Sequence, residues 1–140
     1  MDIGITVPDE VLTTFRDLQL SKKYHFMVLK IANKTAIEVE ATQAGTEEYD
    51  YEAFCEALMA SGAPRYAVAD FHYENEEGHK QTKLVFFFYC PDTARAMDKM
   101  IYASTMENLK GKLEGIQRVV QATDESELDY EVAKTVMMRK

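Results

Sequence analysis

Only two cysteines occur in 140 residues, Cys55 and Cys90, with no CxxC spacing and no histidine at metal-ligand spacing beside them. They support neither a zinc site nor a disulfide framework, and both read as small buried apolar residues. Prolines are equally sparse: Pro8, Pro64 and Pro91 sit where elements could begin or end. No internal repeat or Pro/Gly/Ser-rich linker divides the chain. No apolar run approaches the roughly 18 to 20 residues of a membrane span, and Met1-Asp2-Ile3-Gly4 lacks the basic and apolar blocks of a signal peptide. The expectation is a cytosolic protein with no membrane span. Positive charge is scarce as well. A formal charge of −8 argues against a surface that wraps nucleic acid, although it leaves room for local basic patches. Catalytic patterns are missing too: there is no G-x-S-x-G, P-loop, H-E-x-x-H or G-x-G-x-x-G, and His25, His72 and His79 are isolated. No enzyme, cofactor or metal is expected.

What is present is core-forming material. A hydrophobic content of 46% in a chain this long fills one compact core, so residues 1–140 are expected to form a single domain. Pro8 before Asp9 and Glu10 suits a first helical turn, and Val11, Leu12, Phe15 and Leu18 follow at helical spacing; the first helix is expected over 9–20. Residues 24–32 (YHFMVLKIA) and 36–42 are rich in aromatic and β-branched side chains, with Asn33-Lys34-Thr35 able to turn the chain between them. Helical spacing returns over 49–61 through Phe54, Leu58 and Met59, ended by Gly62 and Pro64. Strands over 65–74 and 82–90 follow, joined by the acidic segment 74–79, and the second, KLVFFFYC, must be covered on both faces. A long helix then runs from Asp92-Thr93-Ala94 to Leu109 or Leu113, roughly 24 Å or more, with Asp92 or Thr93 as its N-cap. A short strand over 117–122 and a helix over 124–138 complete the order αββαββαβα. The fold class is α+β: a central mixed sheet of five or six strands with helices on both faces.

At 100° per residue the long helix has two apolar sides. Tyr102, Ala103, Met106, Leu109 and Leu113 suit packing on the sheet. Opposite them lie Met97, Met100 and Ile101, interleaved with Ser104, Thr105 and Asn108, with Lys99 and Arg95 at the margin. Another segment of the same domain could cover that second side. Alternatively, methionines beside short hydroxyl residues make an adaptable ridge for a groove on another protein. Periodicity leaves both open.

Residues 91–105, PDTARAMDKMIYAST, resemble the long-helix signature of the ADF/cofilin family, in which Ser-Pro-Asp is followed by Lys-Met, an aliphatic residue and Tyr-Ala-Ser. The resemblance extends to Leu20-Ser21-Lys22-Lys23-Tyr24, Lys83-Leu84-Val85-Phe86-Phe87 and Leu113-Glu114-Gly115-Ile116, and so to essentially the whole chain. It implies a monomeric actin-binding protein of the cytoplasmic cytoskeleton, acting on monomers and filaments and promoting severing and depolymerisation. By position it assigns actin contact to Gly4, Ile5, Arg95, Met97, Lys99, Met100, Ser104 and Thr105. A second site, used only on filaments, maps to Lys80, Lys83, Glu131 and Lys134, with Arg139 and Lys140 extending the basic tail. Phosphoinositides are a further implied partner, with Lys99, Lys110, Lys112 and Arg118 as the candidate patch. The implied mechanism is differential binding: the protein fits an ADP-actin filament of altered twist better, and strain at boundaries of bound segments breaks it.

Three positions depart from the family pattern. Met97 stands where a basic residue is usual, shifting affinity toward apolar contact. Gln81 replaces a commonly basic residue on the filament side, which keeps a monomer-binding depolymerising factor with little severing as an alternative, beside a phosphoinositide-responsive adaptor. Ile3 replaces the serine that many relatives phosphorylate, which removes a switch that would place negative charge in the interface. Lys22-Lys23 is too short to argue nuclear import, and nothing in the sequence speaks for or against a flagellar location.

Overall fold

A computed structural model describes residues 4–139; Ile3 and Lys140 lie outside the described residues. Its elements in chain order are α1 (Asp9–Gln19), β1 (Tyr24–Ala32), β2 (Ala36–Ala44), α2 (Tyr51–Met59), β3 (Arg65–Glu74), β4 (Lys80–Tyr89), α3 (Ala96–Lys112), β5 (Arg118–Ala122), a 3₁₀ turn (Glu125–Leu128) and α4 (Tyr130–Met137). The strands form one five-stranded sheet in the order β2-β1-β3-β4-β5. All neighbours are antiparallel except β4 and β5. A parallel pair cannot be joined by a tight turn, so the chain must cross over between β4 and β5, and α3 is that crossover.

Side-chain alternation along the central strands sorts the core into two layers. Tyr66, Val68, Leu84, Phe86 and Phe88 join Val11, Phe15 and Leu18 of α1 and Tyr102, Met106 and Leu109 of α3 on one side of the sheet. Ala67, Phe71, Val85, Phe87 and Tyr89 join Phe54 and Leu58 of α2 and Ala133 and Met137 of α4 on the other. The apolar run of β4 is thus covered on both faces, as the sequence requires.

Local chemistry sets the connections. The β1–β2 turn places Asn33 and Lys34 in the left-handed region, φ 53° and 58°, the paired positive φ that a tight hairpin needs. Gly45 passes so close to the α1–β1 connection that an added Cβ would lie 2.1 Å from the Lys22 carbonyl oxygen. No other residue fits there.

Two differences from the sequence-based expectation have a local cause, while other element ends shift by only one or two residues. Ala94 donates its backbone N–H to the Pro91 carbonyl at 3.0 Å, so Asp92 and Thr93 occupy a turn, and α3 starts two residues later with Arg95 at its N-cap and no capping side chain. The final helix is in two pieces, because two aspartates each cap a start: Asp124 accepts from the Glu127 N–H, and Asp129 accepts from the N–H groups of Glu131 and Val132.

Candidate functional site

One side of α3 is fixed to the sheet by polar contacts as well as by apolar packing. Tyr66 donates its hydroxyl to the Tyr102 backbone carbonyl. The Tyr102 hydroxyl accepts from the Ile31 N–H at 2.8 Å and from Arg65 Nη1 at 3.4 Å. Because β1 pairs with β3 only from Phe26 to Leu29, Tyr102 supplies the acceptor that a neighbouring strand would otherwise give Ile31. Arg65 forks onto Glu40 through Nε to Oε1 at 2.9 Å and Nη2 to Oε2 at 3.1 Å. That hydrogen bond, ahead of opposing burial, holds the Glu40 carboxyl below its ordinary value. Burial first of all pushes the Tyr66 and Tyr102 phenols up, so both stay neutral, Tyr66 as a donor and Tyr102 as an acceptor.

With that side fixed, the other projects outward. Met97 and Met100 are 54% and 53% exposed, far above the other methionines in the core, and Ser104 is half-buried one turn on. Arg95 is exposed at the N-cap, while Lys99 is half-buried and donates from Nζ to the Asp92 carbonyl at 2.7 Å. The face assignment needs correction at three residues. Ile101 and Thr105 are 8% and 2% exposed, because together they flank Leu109 on the sheet side, whereas Ala103, assigned to the core, is exposed. The outward ridge is therefore Met97, Met100 and Ser104, and Thr105 supports it from beneath.

The N-terminal segment is tied to the β1–β2 turn through Thr6, which donates its N–H to the Thr35 carbonyl and accepts at its own carbonyl from the Ile37 N–H, both at 2.9 Å. Gly4 is exposed with φ 83°. Ile5, however, is buried in the α1/α3 layer, which corrects its place among the surface contacts. The alternating in-and-out geometry of a strand-like segment leaves Gly4 outside and Ile5 inside.

On the filament-side candidates, Lys80 and Lys134 line one open depression of about 590 Å³ together with His72, Gln81 and Tyr130. Glu131 and Lys134 share a neighbouring one with Glu76 and Arg139. Lys83, half-buried and paired in register with Phe71, lies outside both. Sequence reading missed Val132, exposed at 46% beside Glu131. Its position out of phase with the buried Ala133 and Met137 was the available signal.

The proposed phosphoinositide residues do not converge. Lys99 and the Lys110/Lys112 pair sit at opposite ends of α3, about 16 to 20 Å apart along the axis. Lys110 pairs with Glu107 at 3.2 Å. Arg118 is occupied with backbone carbonyls, donating to Val136, Gln117 and Arg139, and so fastens the end of α4 instead of facing α3.

Comparison with known proteins identifies the family and the fold. Cofilin from Eremothecium gossypii is 45% identical over 131 residues, covering 91% of this chain and 88% of its own length. Actin-depolymerizing factor 2 from Zea mays is 36% identical over 132 residues, with 94% of each covered. The crystal structure of Streptomyces griseoflavus cofilin superposes with a TM-score of 0.84 at 33% identity, covering 94% of this chain and 96% of that one. Over residues 4–137 the sequence matches the cofilin/tropomyosin-type actin-binding proteins, and the chain belongs to that family.

Proposed function

We propose that this chain binds actin monomers and filaments, catalyses no reaction, and promotes severing and depolymerisation in the cytoplasmic actin cytoskeleton. The ridge of Met97, Met100 and Ser104, with Lys99 and Arg95 at its margin, seats in a groove of actin, and Gly4 of the N-terminal segment adds to that contact. The observation that carries this reading is the half-exposure of Met97 and Met100 on a helix whose opposite side is pinned to the sheet. Half-exposed thioether chains gain from losing water and adapt to the wall they meet. The depression holding Lys80 and Lys134, with Glu131 beside it, contacts a second subunit that exists only in filaments. Preference for one filament state, ADP-actin by resemblance to the family, shifts the filament toward that state.

The test is Lys99→Ala with Met100→Ala. Co-sedimentation with filaments and binding to monomers are both expected to be lost with the unfolding temperature unchanged, and undiminished binding would overturn the assignment. Gln81 in the filament-side depression favours a second reading, strong depolymerisation from ends with little severing. Imaging single ADP-actin filaments separates the two, since breaks that peak at partial coverage belong to severing alone. A phosphoinositide-responsive adaptor is not favoured by this geometry, because its four basic residues are spread along the length of α3 and onto β5 instead of gathering at one patch.

A further inference from the structure

A groove of about 410 Å³ opens between α2 and the 3₁₀ turn that precedes α4. It lies on the α2/α4 side of the sheet, away from the α3 ridge. Its floor is apolar: Tyr51 and Leu128 are buried and belong to the core, with Cys55 and Met59 half-buried above them. The floor is rigid. Tyr51 donates its hydroxyl to the Leu128 carbonyl at 2.7 Å, and the Cys55 thiol approaches the same oxygen at 3.8 Å.

The banks all carry one sign of charge. Glu52 and Glu56 stand one helical turn apart on α2, and Glu125 and Asp129 face them across the opening. Among the described residues, no lysine, arginine or histidine lines the groove. Among the described residues, none of these four carboxylates makes an ion pair (the Lys110–Glu107 type of pairing is absent here). Three of them reach the floor: the Cys55 thiol is pushed up to about 11, by burial first, against an opposing hydrogen bond with Tyr51, and then to a lesser degree by Glu125, Glu52 and Asp129. Negative charges held at this spacing without a counter-charge deepen the negative local potential that draws a cation in, and the apolar floor rewards a side chain that displaces water.

We infer that this groove docks a cationic segment of a partner protein, with one apolar side chain on the Cys55–Met59 floor and lysines or arginines a turn to either side against the paired carboxylates. A neutral or acidic segment would leave the carboxylates desolvated and uncompensated, so the charge selects the partner class. Because the groove is on the layer opposite α3, a segment bound here leaves the ridge open. The inference does not depend on what the ridge binds.

The probe is a synthetic helical peptide of lysine, leucine and alanine, about 14 residues long, with lysines bracketing a leucine at one-turn spacing. A scrambled peptide of equal composition and charge is the control. Titrated into isotope-labelled protein, the probe is expected to shift the amide resonances of 51–59 and 125–130 and leave those of α3 in place. Glu52→Gln with Glu56→Gln is expected to weaken it about tenfold, and the scrambled peptide to bind about tenfold more weakly than the probe. Both glutamates are exposed, and Glu125→Gln serves as an independent variant on the other bank with the same expected direction. Shifts scattered over the acidic surface, equal affinity for the scrambled peptide, or unchanged affinity in both sets of variants would overturn the inference.

Discussion

The two candidate surfaces are built from opposite materials. On α3 the outward residues are methionines and a serine on a helix fastened by Tyr66, Tyr102 and the Arg65–Glu40 fork. Between β4 and α4 they are Lys80 and Lys134 around an open depression walled by His72 and Tyr130, with Glu131 on the neighbouring one. A contact made by removing water from thioether chains is nearly indifferent to salt, while one made by solvated charges is screened beyond about 10 Å at 0.1 M. The difference teaches that one protein can carry two separately tunable contacts: one that sets whether it binds, and one that sets where.

Removing the apolar contact should have the largest effect. Met97→Ala with Met100→Ala takes away two side chains that are half-exposed before binding, worth about 2 to 3 kcal/mol between them, or roughly 30- to 100-fold in Kd. Monomer and filament affinity should fall together, at low and high salt alike, with the unfolding temperature unmoved. A loss confined to filaments, read by parallel monomer titration and co-sedimentation, would break the comparison at its root. Neutralising the other surface with Lys80→Gln and Lys134→Gln should cost about tenfold, on filaments only, and the deficit should fade as salt rises. If the deficit persists at high salt, Val132 and Tyr130 contribute more to that contact than the lysines do.

Much of this was legible in the residues, for identifiable reasons. The bounds of β1 and β3 followed from dense aromatic and β-branched runs, punctuated by Asn33-Lys34 on one side and Gly62 and Pro64 on the other. The start of α3 was not legible, because Asp92 and Thr93 are good caps by type and only the Pro91–Ala94 turn removes them from the helix. The same limit applies to Thr105 and Ile5. An angular plot locates the centre of an apolar stripe but not its width, and the sheet beneath α3 is broad enough to bury Ile101 and Thr105 as well. Neither the Tyr102–Arg65–Glu40 network nor the sharing of one depression by Lys80 and Lys134 leaves a local pattern. Both depend on residues far apart in the chain.

The fastening of α3 can be tested apart from its ridge. Tyr102→Phe removes the hydroxyl that accepts from Ile31 and Arg65. A partly buried N–H left without an acceptor costs about 1 kcal/mol, a drop of a few degrees in unfolding temperature. Affinity for actin should be unchanged, because the hydroxyl faces the sheet. A parallel loss of affinity would mean that the ridge works only when α3 is held in register.

The smallest expected effect concerns pH and falls on the charged surface alone. His72 stacks on Tyr49 with ring centroids 3.9 Å apart and lines the same depression as Lys80 and Lys134. Burial foremost holds its imidazole below the ordinary 6.5, against the opposing pull of Asp70. A histidine whose folded value lies below its unfolded one takes up its proton more readily when unfolded, so stability is full above 6.5 and declines as pH falls through that value toward the folded one. Asp70, raised above 3.8 by burial despite its 3.3 Å pair with Lys22, works in the opposite direction: its ionisation costs the fold, and that cost is relieved as pH falls through its folded value toward 3.8. The His72 loss sets in as pH falls through 6.5, and the Asp70 relief is complete only as pH reaches 3.8. Denaturant unfolding between pH 7 and 5 should therefore reveal a loss below about 1 kcal/mol, since the ring is partly solvated. His72→Phe, which keeps the stack on Tyr49, should flatten that slope. No histidine touches the α3 ridge, so monomer affinity should be level across the same range. A pH-dependent monomer affinity would show that the two surfaces are coupled through the sheet rather than independent.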